Sequence, residues 1–326
     1  MAKFLVTGGI GGVGSNLVEK LVELGHEVSI LDNMSRGEES TKNWEEMNLK
    51  DKVKLTVRDV LNFKAVREAV LNVDGVFHLA ALPSHRLAMK DPLGYATTDI
   101  IGTVNVLESI RQLKQPTKVL FASSNKVYGH TNPPFSELMI KSPEGPYGLA
   151  KAQSEEWCEL YNKYYGVPIS ITRLHHIVGP RMQPDLALSI FVENALKDED
   201  ITVHGQFDKN GDFASCSAAF TNVFDAVDGM IKAMEYVSDF EIFNIGAETE
   251  TTVEHLGEMA ITWTNSHSRI IRKQMYSHES LHHAADSDKA QRLLGWKANT
   301  PIEVSVDQYM EWRKKRGERL QAKYND

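Results

Sequence analysis

The chain has little of what would place it outside the cell or inside a bilayer. Its 326 residues include two cysteines, Cys158 and Cys216, too few for a disulfide framework. Cys158 lies beside Trp157 in a helical pattern and reads as core. No apolar run has the roughly 18 residues that a transmembrane helix needs. An excess of positive charge is also missing. The net charge of −8 argues against a nucleic acid or an acidic membrane as partner. Repeats and low-complexity tracts are absent. A strand-forming run starts at Lys3, which leaves no room for a leader, so a cytoplasmic protein is expected. Apolar and charged contents of 42% and 25% are those of an ordinary globular protein. The length suits one large α/β domain with a smaller lobe.

The most informative segment present is Val6-Thr7-Gly8-Gly9-Ile10-Gly11-Gly12-Val13-Gly14. It follows the apolar run Phe4-Leu5-Val6 and leads into a helical pattern carried by Val13, Leu17, Val18, Leu21 and Val22. A second apolar run, Val28 to Leu31, ends at Asp32. Strand, glycine turn, helix, strand and acid thus succeed one another within some thirty residues. Glycine lets the backbone approach a pyrophosphate, and the helix start offers free N–H groups and a positive dipole end. Asp32 is placed to accept hydrogen bonds from the adenosine ribose, which favours NAD over NADP. Arg36 is the opposing signal.

Strand-like runs at 3–7, 27–31, 53–57, 75–79, 117–122 and 168–174 alternate with helical patterns near 12–24, 63–71, 93–113 and 146–165. Such alternation predicts βαβ units and a doubly wound parallel sheet, with ligands at the C-terminal strand edge. After Gly179-Pro180 the pattern breaks up. Glu241 to Gly246 reads as one more strand, and 303–324 reads as a solvated helix of mixed charge.

Tyr147 and Lys151 stand four apart at the start of a helical pattern, so both project from one face. A tyrosine is a poor base at neutral pH. A nearby ammonium and a positive nicotinamide ring would favour its phenolate. Upstream, Val119 to Ser124 reads as a strand ending in two hydroxyls. A serine there can hydrogen-bond a substrate oxygen and relay its proton.

Thr7-Gly8-x-x-Gly11-x-x-Gly14, Asp32-Asn33, Ser123-Ser124-x-x-Val127-Tyr128-Gly129 and Tyr147-x-x-x-Lys151 together resemble the extended short-chain dehydrogenase/reductase family, the NAD-dependent sugar epimerases and dehydratases. Arg58-Asp59-Val60, Phe77 to Ala81, Asp91-Pro92, Gly102-Thr103, Asn244 to Gly246 and Leu294-Gly295-Trp296 extend the likeness along nearly the whole chain. The resemblance implies a Rossmann-type domain over 1–174, with 222–248 returning to it. It implies a substrate lobe over 175–221 and 249–326. Ser124, Tyr147 and Lys151 are the implied catalytic set, with Ser123 as fallback for the serine. NAD would be held by Gly8, Gly11, Gly12, Val13, Gly14, Asp32, Asn33, Asp59, Val60, Leu79, Ala80, Ala81 and Lys151. Substrate contacts are expected from Ser84, Ser123, Asn125, His176 and Arg181. A homodimer built from the helices near 93–113 and 146–165 is also implied, and no metal.

Departures from the family bear on substrate and reaction. Gly12-Val13 replaces an aromatic and a branched residue, which should loosen packing under the phosphates. His176 stands where an asparagine contacts the diphosphate, and Ala218 where an arginine holds a phosphate. A substitute cation (Arg181, His176 or Arg272), or a substrate other than an ordinary nucleotide sugar, is then required. Asn125 and Lys126 stand where dehydratases carry Asp-Glu, and Lys126 where decarboxylases carry glutamate. Oxidation and re-reduction at one carbon, an epimerisation, is the expected reaction. The alternatives are a dehydrogenase or reductase releasing NADH, a dehydratase or decarboxylase of the same family, and a non-catalytic NAD-binding protein.

Overall fold

The computed structural model describes residues 1–113, 116–129, 131, 133–275 and 281–324, with side chains given as far as 317. Its centre is a seven-stranded parallel sheet. The strands are β1 (Lys3–Thr7), β2 (Glu27–Asp32), β3 (Lys54–Val57), β4 (Gly75–His78), β5 (Lys118–Ser124), β6 (Ile169–Leu174) and a seventh, Phe240–Ile245. In space the order is seventh strand, β6, β5, β4, β1, β2, β3. β1 and β4 are neighbours that lead in opposite directions, so a crevice opens at their C-terminal ends. Register is set by pairs such as Val6 with Ile30 and with Phe77.

Each face of the sheet buries one core. Leu17, Val18 and Leu21 of helix α1 (Gly12–Glu23) pack with Ile30, Phe77, Met230 and Trp296 on one side. Val66, Leu107, Ile110, Cys158 and Ile171 meet on the other. A third cluster, with Leu188, Phe191, Val203, Leu256, Tyr309 and Met310, makes the core of the smaller lobe. That lobe is built from short pieces: helices Ala187–Ala195 and Val253–Thr264, and small sheets whose strands run from two to seven residues.

Two elements differ from the periodicity-based expectation. The segment 93–113 is not one α-helix. Pro92–Tyr95 is followed by a π turn, Ala96–Ile101, before the α-helix Gly102–Leu113. Side chains exploit the widened turn: Thr103 Oγ1 and Ser154 Oγ both donate to the Asp99 carbonyl, at 2.6 and 3.1 Å. The C-terminal helix Ile302–Tyr324 is not simply solvated either. It buries Val306, Tyr309, Met310 and Arg316. Its charged residues hide the apolar stripe from a count of composition.

Candidate active site

The glycine turn is shaped by contacts that leave no room for a β-carbon. One on Gly14 would lie 2.2 Å from the Gly8 carbonyl oxygen, and one on Gly8, whose φ is +68°, 2.7 Å from the Ala80 nitrogen. Gly12 faces the Arg181 carbonyl, where a β-carbon would come within 2.6 Å. The expected looseness at Gly12 is therefore absent, because the backbone of the second lobe fills the space an aromatic would take. Gly11 is different. Its β-carbon would meet only the Gly8 carbonyl oxygen, at 3.2 Å, and the rest of its surroundings are open. Bare backbone at the start of α1, facing a cleft, fits a pyrophosphate.

That cleft has a volume of about 930 Å³. Gly8, Gly11, Gly12, Val13, Gly14, Asp32, Asn33, Val60, Leu79, Ala80 and Ala81 line one end. Asp32 closes the turn, its Oδ2 accepting from Ile10 N at 3.0 Å and its Oδ1 from Met34 N at 2.8 Å. Burial raises its carboxyl pKa, and those backbone donors oppose the rise. Asp59 is not among the lining residues. It sits behind Asn33, whose Nδ2 donates to Asp59 Oδ2 at 2.7 Å. Arg36 lines this end with both Nη atoms buried and unpartnered.

Ser124, Tyr147 and Lys151 all line the middle of the cleft. Ser124 ends β5, and the other two come from the first turns of the helix Gly145–Tyr165. Pro146 stands in the first turn of that helix, where no N–H is needed. Burial drives the Tyr147 phenol pKa well above its ordinary value, and the neighbouring Ser124 hydroxyl only partly opposes the rise. The expected help from Lys151 does not register at the phenol. Its Nζ donates to the Ala122 carbonyl at 3.0 Å and sits over the Phe121 ring. Burial also depresses the Lys151 ammonium pKa, while the Asp99 carboxylate opposes that. Ser123 is committed elsewhere, its hydroxyl donating to the buried Glu155 at 2.6 Å; Arg173 holds the same carboxylate at 2.7 Å. Sequence reasoning missed Asp99, which is 2% exposed with an unpartnered Oδ2. Only the π turn marks it, and a π turn has no signature in periodicity.

At the far end, Asn125 Nδ2 lies 3.0 Å from His176 Nε2. The amide donates, so that nitrogen carries no proton. Burial accordingly pushes the His176 pKa well down. His283 packs against His176 at a tilt, with ring centroids 5.1 Å apart, and both line the cleft with Ala218 and Phe220. Ser84 lines it too, while capping the short helix His85–Ala88 through Leu87 N. The expectation for Arg181 is corrected. It is not a lining residue, and its guanidinium is bound to Glu19 and Asn16 of α1. Arg272 is likewise held by Glu254 at 2.6 Å on the surface. The cationic side chains lining the cleft, among the described residues, are Arg36, Arg58, Arg86, Lys126 and Lys151. Among the described residues, no three His, Cys, Asp or Glu gather in a metal-binding group.

Residues 5–309 match the family described as GDP-mannose 4,6-dehydratase. The chain is 32% identical over 323 residues to a UDP-N-acetyl-alpha-D-glucosaminuronate decarboxylase of Bacillus cytotoxicus, covering 94% of this chain and 96% of that protein. It is 30% identical to a putative UDP-glucose 4-epimerase of Methanocaldococcus jannaschii, covering 95% and 98%. The fold superposes with a TM-score of 0.87, at 26% identity, on the UDP-glucuronic acid 4-epimerase of Bacillus cereus solved with UDP-glucuronic acid and NAD; 96% of this chain and 99% of that one are covered. A glycine turn closed by Asp32, a serine, tyrosine and lysine in one cleft, and these matches along the whole chain agree: the chain belongs to the extended short-chain dehydrogenase/reductase family, in its NAD-dependent sugar epimerase/dehydratase group.

Proposed function

We propose that this chain is an NAD-dependent epimerase of a nucleotide-linked sugar, acting through a transient keto sugar. The observation that carries the reading is that Ser124, Tyr147 and Lys151 line the same cleft as the open Gly11 turn. Bound NAD supplies the hydride acceptor and a positive ring charge. Ser124 holds the reacting sugar oxygen. Tyr147 removes the hydroxyl proton and later returns it to the opposite isomer. Burial favours the neutral phenol, and the positive ring charge of bound NAD would oppose it. Neither Asn125 nor Lys126 is a carboxylate, which weighs against water loss and decarboxylation. With Arg181 and Arg272 committed to glutamates, Lys126 and the neutral His176 are the groups we assign to the substrate's anionic part.

Incubation with UDP-glucose, UDP-glucuronate and UDP-N-acetylglucosamine, with product separation and NADH absorbance followed together, tests this. An epimer without lasting NADH is expected. Accumulating NADH means a dehydrogenase, and carbon dioxide release means a decarboxylase. Asp32 should also make NAD bind more tightly than NADP; equal or tighter NADP binding overturns that part.

We further propose a cytoplasmic homodimer. No helix among the described residues is long and apolar enough to cross a membrane, and Cys158 and Cys216 form no disulfide. Leu93, Ile101, Leu149, Trp157 and Tyr164 are exposed apolar groups on the two helical segments expected to pair. A monomeric mass in solution at micromolar concentration refutes the dimer.

A further inference from the structure

The helix Ile302–Tyr324 belongs by its packing to the smaller lobe. Tyr309 and Met310 lie in that lobe's core, and Tyr309 OH is bonded to Ser189 Oγ at 3.2 Å. Yet its next turns lean on the Rossmann side. Arg316, 8% exposed, places its guanidinium over the Trp312 ring and binds two carboxylates of the helix Glu38–Met47. Nη1 donates to Glu39 Oε1 at 2.7 Å, and Nε lies 2.9 Å from Glu46 Oε1. Trp312 Nε1 donates to the other Glu46 oxygen at 3.0 Å.

The remaining Arg316 nitrogen reaches further. Nη2 donates to Asn43 Oδ1 at 3.3 Å, and Asn43 is fully buried. The amide's other end, Nδ2, donates to the Ile10 carbonyl at 3.0 Å. Ile10 lies inside the glycine turn, and its N–H is the one held by Asp32. A chain of buried hydrogen bonds thus runs from the C-terminal helix, through one side-chain amide, to the residue preceding Gly11. A simple clamp between two helices would need only Glu39 and Glu46. The link through Asn43 to a backbone carbonyl of the turn does something else: it fixes the peptide that presents the bare backbone to the cleft.

We propose that Arg316 is a positioning residue for the dinucleotide, acting through Asn43 on the glycine turn, so that the smaller lobe's last helix sets how tightly the cofactor is held. The inference rests on the NAD reading above. It gives that reading a physical counterpart, since an enzyme that oxidises and re-reduces one carbon must keep its dinucleotide through the cycle. A turn whose shape is fixed beforehand binds more tightly because less order has to be imposed at binding.

The test is NAD affinity by titration, with melting temperature followed in parallel. Arg316→Met should weaken NAD binding by about tenfold, the equivalent of one hydrogen bond lost from the turn's support. Tyr309→Phe, which removes the Ser189 bond from the same helix, should lower the melting temperature and leave NAD affinity within about twofold. If Arg316 acts through Asn43, Asn43→Ala should weaken binding similarly, and adding Arg316→Met to it should change little, because coupled residues are not additive. Independent, additive losses overturn the route through Asn43. Equal affinity in wild type and Arg316→Met overturns the proposal even where Asn43→Ala fails to fold, as does a Tyr309→Phe loss as large as that of Arg316→Met. A wild-type chain that binds no NAD sinks the functional reading instead.

Discussion

The two ends of the cleft are made in different ways. The cofactor end is backbone packed against backbone: Gly14 against Gly8, Gly8 against Ala80, Gly12 against Arg181, with room left only at Gly11. The substrate end is a meeting of side chains from distant segments. Asn125 follows β5, His176 follows β6, Ala218 lies in a two-residue strand, and His283 pairs with Ala218 across another. Backbone close packing admits almost one residue type per position. A side-chain pocket admits many, and different substrates follow from one fold. The first end therefore tolerates little substitution, and the second carries the departures from the family that bear on substrate.

The largest effect should come between the two ends. Tyr147→Phe removes the one group placed to take and return the proton, so turnover should fall by about 10² or more. NAD affinity and melting temperature should stay near wild type. Near-normal turnover in the variant rules out the mechanism.

Alanine substitutions along the turn break the cofactor end selectively. Gly14→Ala forces a β-carbon to 2.2 Å from a carbonyl oxygen that cannot move aside. The melting temperature should drop and NAD binding should be lost. Gly11→Ala meets only one atom at 3.2 Å, so the fold should survive with NAD affinity reduced about tenfold or more. If Gly11→Ala binds NAD normally, the open space at Gly11 is not where the pyrophosphate lies.

How far each end was legible in the sequence follows the same division. Strand, turn, helix, strand and Asp32 lie within one stretch of chain, and each carries its own signal in periodicity or glycine spacing. Ser124, Tyr147 and Lys151 were also readable, since one ends a strand and two share a helix face. The smaller lobe gave little. Its two- and three-residue strands are too short for any alternation to register. The helix Glu38–Met47 buries only Ser40, Asn43 and Met47, so it has no apolar stripe to find. Arg181 looked available as a cation until the structure put Glu19 beside it, across 162 residues of sequence. The tyrosine's environment misled for a related reason. Four-residue spacing brings Lys151 to the same face, but not where its ammonium points.

At the substrate end, Ala218→Arg places a guanidinium at the position where the family carries one. A charge-assisted contact with a diphosphate is worth about 1.5–3 kcal/mol, so UDP should bind about tenfold or more tightly. Ala218 is 4% exposed and lines the cleft, so the new side chain must extend into it. If wild type already binds UDP tightly and the variant is no better, Lys126 and His176 suffice as anion partners.

The smallest effect concerns Asp99, which lies behind the catalytic helix rather than in either end. Its Oδ1 accepts from Leu82 N at 2.9 Å, and its Oδ2 has no partner. Lys151, Tyr147 and Tyr95 feel its charge. A negative charge raises the pKa of a phenol and of an ammonium alike, so Asp99 holds protons on both Tyr147 and Lys151. Asp99→Asn keeps the size and the acceptor for Leu82 N but removes the charge. The phenol should then ionise at lower pH, and so should the ammonium. Both limbs of the kcat/KM profile should move to lower pH, with a change within about tenfold at any one pH. Ser154→Ala, which removes a hydrogen bond to the Asp99 carbonyl without altering charge, should leave the limbs in place. A profile unmoved by Asp99→Asn would mean that the carboxylate shapes the π turn and nothing more.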